Sequence, residues 1–299
     1  MCTAISFQRS GGFFGRTLDA AMDYSGRAVL VPRFSTLYFS DGERVTEHYA
    51  TLGIGIIEED FPLLFDGMNE WGLCGAGLNF PALAKYEKAN GDKKEVSSYE
   101  LITKMLALCK SVSEVRGALS GAKISDRAVN ERLSPTPMHW IFADLSGAVT
   151  VEQTAEGLSV YENPEEVLTN SPEFPFHQRR SSELSALCPK NPDGEFLSLG
   201  YGALGLAGDF SSPSRFLRAS YMRKYAECKT HADFFRAIDT VTIPRGAVVD
   251  AEGSPHYTAY TSCYDTRSLT LYKRTYPDTN ISRTPLSDSL LCERSVRYV

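Results

Sequence analysis

No long apolar run occurs in this 299-residue sequence, the longest being Leu52 to Ile57 with its glycines, far short of the roughly 18 residues that a membrane helix needs. No segment is expected to enter a bilayer. Basic residues are not in excess either: 31 Lys+Arg face 37 Asp+Glu, a net charge of −6, so the basic patch that replaces phosphate counterions is missing and nucleic acid is not an expected partner. The seven cysteines (Cys2, Cys74, Cys109, Cys188, Cys228, Cys263, Cys292) are odd in number, far apart and without a CxxC pair. That spacing fits reduced thiols rather than a disulfide framework or a zinc site. The five histidines, His48, His139, His177, His231 and His256, form no HExxH or HxH pattern and read as structural or surface residues, with no metal expected. The first residues lack the basic and apolar regions of a signal peptide, which predicts a cytoplasmic protein.

What is present is an ordinary globular composition, 42% hydrophobic and 23% charged. A chain this long buries about three quarters of its unfolded surface and needs no staples. No linker, low-complexity tract or repeat divides it, so a single domain over residues 1–299 is expected. Strand-like runs crowd the first third: Ala28 to Pro32, Tyr49 to Ile57, Leu63 to Phe65 and Leu73 to Phe80. His139 to Ala143, Ala148 to Gln153, Leu158 to Tyr161 and Val167 to Thr169, separated by turn residues, read as an antiparallel meander. Tyr257 to Tyr264 and Ser268 to Tyr272 suggest a late hairpin. Helical spacing marks Ser97 to Cys109, with Ser97/Ser98 as N-cap, then Val112 to Leu119, Gln178 to Leu187, Ser214 to Tyr225 and Ala232 to Val241. Strands in runs and helices in pairs predict an α+β fold with mainly antiparallel sheets.

Gly200 to Gly205 matches GxGxxG, but no helix signal follows before Ser214, so it reads as a surface loop rather than a dinucleotide site. The sequon Asn280-Ile281-Ser282 is expected to stay unmodified. Cys2 is more informative. Once Met1 is removed, Cys2 carries a thiol and a free α-amino group on one residue, and an amine of pKa about 8 can take the proton of a thiol of about 8.5. Nucleophile and base then need no separate histidine.

From Cys2 onward the sequence resembles the choloylglycine hydrolase family of N-terminal-nucleophile hydrolases, which contains bile salt hydrolases and penicillin V acylases. The resemblance covers nearly the whole chain. It is carried by Met1-Cys2-Thr3, Gly15 to Asp19, Asp66 to Glu70 running into Gly77 to Pro81, Val151-Glu152-Gln153, Leu168 to Pro172, and Gly208 to Phe216. It implies a four-layer α/β/β/α N-terminal-nucleophile hydrolase fold with two stacked antiparallel sheets. It also implies Cys2 as nucleophile, Asp19 as the carboxylate that holds the α-amino group, and Arg16 as a group that favours the thiolate or binds the substrate carbonyl side. Asn170 and Asn79 match the oxyanion hole, Asn79 through its backbone N–H, and Arg215 matches a second active-site arginine.

By the same resemblance the reaction is acyl transfer through a Cys2 thioester, needing no metal or cofactor. Asparagine at position 79 looks like the bile salt hydrolase branch, where penicillin V acylases tend to carry tyrosine. The expected substrate is therefore a conjugated bile salt, its apolar steroid seated by Met22, Tyr24, Phe61, Leu63, Phe65 and the Lys123 to Pro137 segment, with Arg16 and Asn79 at the amide. A penicillin V or N-acyl amide acylase is the near alternative, and a non-catalytic ligand-binding protein the distant one. The family implies a homo-oligomer, a tetramer, although Pro189 to Leu199 is short where relatives carry an assembly loop. Thr17 stands where relatives often have asparagine.

Overall fold

A computed structural model describes residues 1–22, 24, 26–92, 94–190 and 202–299. Two large antiparallel sheets face each other, and helices cover both outer faces. One sheet runs in the order Val167–Leu168, Cys2–Phe7, Phe13–Ala20, Pro255–Asp265, Thr270–Thr275, Ser282–Pro285. Helices Ser212–Tyr225 and His231–Asp239 lie on it. The other runs Gly157–Glu162, Gly147–Thr154, Met138–Asp144, Cys74–Asn79, Phe61–Asn69, Thr51–Glu58, Arg27–Val31, Arg297–Tyr298. Its outer face carries helices Leu101–Leu108 and Val112–Ala118. This is the expected α/β/β/α layering.

The two strands that open the chain, Cys2–Phe7 and Phe13–Ala20, are buried at every position because one face meets the second sheet and the other lies under helices. Periodicity does not reveal them, since polar residues such as Arg16 and Asp19 interrupt the apolar pattern without being exposed. Pairing sets Cys2 opposite Leu18 and Ala4 opposite Arg16. With a side-chain period of two, Cys2 and Arg16 therefore share the face between the sheets, while Thr3, Thr17 and Asp19 share the helix face.

Three expectations are corrected. Val167–Leu168 is not the fourth strand of the meander but crosses to the first sheet and pairs with Ala4 and Ile5, which delivers Asn170 beside Cys2. Ser97 does not cap the following helix: it ends the short strand Glu95–Ser97, and Glu100 occupies the cap, its carboxylate accepting from Ser40 Oγ at 2.8 Å. The expected helix at Gln178 to Leu187 starts earlier, at Phe174, and tightens into a 3-10 turn over Ser181–Ala186. Most of the Pro189 to Leu199 segment lies outside the described residues, as do Gly200 and Tyr201 of the glycine motif. Gly202 to Gly205 form turns, with no helix opening from them.

Helix Phe174–Arg180 docks through Phe174 and His177, both fully buried, and the His177 ring stacks on Phe216 at 4.9 Å. Burial, more than neighbouring cations, pushes His177 down from 6.5 to about 4. The unfolded chain then binds a proton between these values that the folded chain does not. Stability from this group is complete above about 6.5, declines as pH falls through the window and is gone below about 4, a change of at most about 3 kcal/mol. His177→Gln is expected to flatten that part of the curve in thermal melts taken from pH 7 to 4; an unchanged slope would contradict the assignment.

Candidate active site

Cys2 sits at the start of its strand, 5% exposed, with its thiol turned between the sheets. Arg16, on the neighbouring strand, donates from Nη2 to Cys2 Sγ at 2.6 Å. The rest of that guanidinium is spent on fixing itself: Nη1 donates to the carbonyls of Gly77 at 2.6 Å and Phe65 at 3.4 Å, and Nε to that of Thr17 at 3.1 Å. Asp66, wholly buried in the second sheet, approaches Nε to 4.0 Å and accepts the hydroxyls of Tyr260 and Tyr264. Burial works against the charge on Arg16, but its interactions with Cys2, Tyr260, Asp66 and Asp19 outweigh that and raise its pKa. Burial likewise pushes Asp66 up against the pull of Arg16 and the two phenols, and pushes both tyrosines well up, so they keep the protons they donate.

The backbone of Cys2 is held from the other face. Its nitrogen donates to Asn170 Oδ1 at 2.7 Å, and its carbonyl accepts from Arg215 Nη1. Arg215 is fully buried in helix Ser212–Tyr225; it also donates to Thr3 Oγ1 at 2.7 Å, Asn170 Oδ1 at 2.8 Å and the Phe210 carbonyl at 3.0 Å. Burial lowers its pKa, with Asp19 and Cys2 opposing. That helix starts where it does because Pro213 fits the first turn and Ser211 caps it, accepting from the Ser214 amide. Ser212, in the same turn, accepts from Asn170 N at 2.9 Å.

Asn170 Nδ2 donates to the Asn79 carbonyl at 2.7 Å, joining the two expected oxyanion residues across the sheets, while the Asn79 side chain is exposed. An amide nitrogen has a second hydrogen, so Asn170 keeps one donor for a substrate. Asp19 is placed on the helix face. One carboxylate oxygen takes the Thr258 hydroxyl at 2.6 Å and the other that of Thr17 at 3.2 Å, so the direct partner of the Cys2 nitrogen is Asn170. A bulge in Pro255–Asp265 between Thr258 and Tyr260 makes this possible, because it lets Thr258 face Asp19 while Tyr260 reaches Asp66.

Of the expected apolar contacts, Met22 and Tyr24 are exposed, and Tyr24 meets Phe65 edge to face at 6.5 Å, next to the Phe65 carbonyl that holds Arg16. Leu63 is buried. Phe61 lies apart, its ring against Phe39 and Tyr99 at 5.9 Å in the outer core. The Lys123 to Pro137 segment touches the neighbouring turn, where Arg132 meets Glu58 at 2.8 Å. Arg218, the neighbour of Arg215, is spent on the carbonyls of Thr240, Ala207 and Asp209.

Asp66, Tyr260, Tyr264, Thr258 and Ser212 escape sequence reasoning. The signal for Asp66 was available: a carboxylate following Leu63-Leu64-Phe65 in a strand run must be paired if it is buried. The threonine and tyrosines carry no such mark in a β-rich segment.

The profile of the choloylglycine hydrolase family, linear amide C–N hydrolases, matches residues 2–297. The bile salt hydrolase/transferase of Lactiplantibacillus plantarum is 35% identical over 96% of this chain and 93% of its own length. That of Clostridium perfringens is 35% identical over 94% and 91%. A variant of the conjugated bile acid hydrolase of Clostridium perfringens superposes with a TM-score of 0.90 at 31% identity, covering 100% of this chain and 96% of its own. The penicillin V acylase of Agrobacterium tumefaciens, at 18% identity and a TM-score of 0.78 over 99% and 90%, shares the fold. With a thiol and its own nitrogen held by separate partners in this framework, the chain belongs to the choloylglycine hydrolase family of linear amide C–N hydrolases.

Proposed function

We propose that this enzyme cleaves the amide bond of glycine- or taurine-conjugated bile salts, with Cys2 as nucleophile after removal of Met1. One observation carries the mechanism: Sγ of Cys2 lies 2.6 Å from Arg16 Nη2 while its nitrogen lies 2.7 Å from Asn170 Oδ1. The substrate class rests on full-length relatives that are bile salt hydrolases. While Met1 is attached, the Cys2 nitrogen is a peptide amide whose lone pair is delocalised and cannot act as a base. Freed, it is an amine in a place already fixed. It takes the Sγ proton, and the sulfur, steadied by Arg16, forms a C–S bond to the substrate carbonyl carbon. Negative charge moves to the carbonyl oxygen, toward the spare N–H of Asn170 and the Asn79 backbone N–H. Collapse breaks the C–N bond, the leaving amine takes the proton from the α-ammonium, and water, deprotonated by the α-amine, hydrolyses the thioester and restores the thiol.

In this reading Asp19, braced by Thr258 and Thr17, supplies the negative charge that steadies the ammonium. Met22, Tyr24 and Phe65 form the apolar lip for the steroid. The free cysteines fit a reducing cytoplasm, and the family resemblance fits a homo-oligomer.

Three outcomes are expected. Amine release from glycocholate and taurocholate exceeds that from penicillin V, and Cys2→Ala loses at least about 10³-fold; preferential cleavage of penicillin V would move the substrate, and an active Cys2→Ala protein would refute the mechanism. Protein whose intact mass retains Met1 turns over no faster than Cys2→Ala; full activity there would exclude the α-amine as base. Asn170→Ala lowers kcat by about 10²- to 10³-fold, and a kcat within about threefold of the wild type would remove Asn170 from the oxyanion hole.

A further inference from the structure

Two buried histidines lie behind the site, and the reaction described above uses neither. His139, on strand Met138–Asp144, faces Glu152 on the adjacent strand, and both side chains are entirely buried. His139 Nδ1 is 2.9 Å from Glu152 Oε1, and its Nε2 is 2.9 Å from the carbonyl of Thr169. The imidazole stacks face to face on Phe80 at 4.2 Å. Thr169 precedes Asn170 and Phe80 follows Asn79, so a single ring touches the chain neighbour of each expected oxyanion donor. The next carbonyl, that of Asn170, lies 2.9 Å from His177 Nε2.

Counting hydrogens fixes the direction of these bonds. Carbonyl oxygens only accept, so both Nε2 atoms carry a hydrogen and donate to Thr169 and Asn170. His177 is neutral near pH 7, and its Nδ1 has no partner among the described residues. His139 Nδ1 faces a carboxylate, and that contact needs one proton, whichever of the two atoms holds it. Glu152 in turn accepts the Phe174 amide at 3.0 and 3.2 Å, which ties the helix that carries His177 to the same carboxylate.

We infer that the His139–Glu152 pair is a positioning device for the oxyanion hole: it clamps the Thr169–Asn170 backbone and the Phe80–Asn79 segment to each other, with His177 as the second clamp. The amide of Asn170 must meet a developing oxyanion within a few tenths of an ångström, and a displacement of about 1 Å can lower a rate by about 10²-fold. Residues 169 and 170 lie just past a strand only two residues long, Val167–Leu168, so the sheet alone supplies little restraint. Ser212 bonds both residues from the helix side, and the histidines add a restraint at their two consecutive carbonyls from the other.

This inference rests on the reading of Asn170 as an oxyanion donor, and the experiment separates the two. The readout is kcat and KM on whichever linear amide the wild type cleaves, normalised to Cys2 sites counted by peptide mass spectrometry after iodoacetamide, since Cys188 and Cys292 are also free and exposed. Asn170→Ala tests the reading. His139→Phe keeps a ring on Phe80 but loses the donor to Thr169, and Glu152→Ala removes the partner of Nδ1. Glu152→Gln keeps one bond to each partner, since its amide nitrogen in the place of Oε1 can donate to Nδ1 while its oxygen in the place of Oε2 accepts from Phe174.

His139→Phe and Glu152→Ala are expected to lower kcat by about 10- to 100-fold with KM within about twofold, while Glu152→Gln stays within about threefold of wild type. In an Asn170→Ala background, His139→Phe should add less than about twofold, because it acts through the missing amide. Undiminished kcat per titrated site in His139→Phe, or a full additional loss in the Asn170→Ala background, would overturn the inference. Should His139→Phe fail to fold, the contrast between Glu152→Ala and Glu152→Gln decides alone: equal kcat per titrated site would refute the clamp, and loss only in Glu152→Ala would support it.

Discussion

The arrangement around Cys2 depends on one buried cation, Arg215. A guanidinium at 0% exposure has lost its water and must be repaid in hydrogen bonds, or it unfolds its surroundings. Its described partners are the Cys2 carbonyl, Thr3 Oγ1, Asn170 Oδ1 and the Phe210 carbonyl. These come from the first strand, the crossing segment after Val167–Leu168, and the turn before the helix that carries Arg215. The charge cannot be satisfied unless all three are in place, so the demand of one side chain assembles the backbone of Cys2 and the amide of Asn170 together.

Arg16 makes the complementary demand on the opposite face of the same sheet. It takes carbonyls from both sheets and lies beside Asp66, so its direction toward Sγ is set by the packing of the two sheets. Two arginines and two carboxylates, Asp19 and Asp66, therefore surround Cys2 with balanced formal charge, each pair divided between the two faces. Passing a proton from sulfur to the adjacent nitrogen leaves that balance unchanged. A low-dielectric site can carry such an internal transfer at less cost than a net change of charge.

How much of this was readable from the sequence varies with the physics. The α+β class was legible in the strand runs and paired helices, and the four-layer stacking through the family resemblance. The candidates Cys2, Arg16, Asn79, Asn170 and Arg215 came from the family resemblance, and the structure brings them into one hydrogen-bonded neighbourhood, with Asp19 on the helix face. The opening strands were not legible, because burial on both faces removes the alternation that marks a strand. Nor was the crossing of Val167–Leu168, which reads like one more hairpin strand until the pairing to Ala4 and Ile5 is seen. Asp66 and Glu152 are instructive intermediates: a carboxylate within an apolar strand announces a partner, but only the fold says that the partners are tyrosines in one case and a histidine in the other.

The surroundings of Phe65 were the hardest part to read, and a backbone irregularity explains it. The strand Phe61–Asn69 slips register against its neighbour between Ile54 and Gly55, so that Gly55 pairs with Leu64 and Ile54 with Asp66, leaving Phe65 as the extra residue. A bulge of this kind resets which face each side chain takes. Leu64 packs in the outer core, whereas Asp66, two residues on, points between the sheets to Tyr260 and Tyr264. Simple alternation would have put Leu64 and Asp66 on one face. The extra residue is what allows one strand to present the Phe65 ring to Tyr24, its carbonyl to Arg16 and the next carboxylate to the sheet opposite. The exposed Tyr24–Phe65 pair and the Arg16 that reaches Cys2 are thus coupled through a single irregular residue, and a sequence pattern that assumes a regular strand cannot place either.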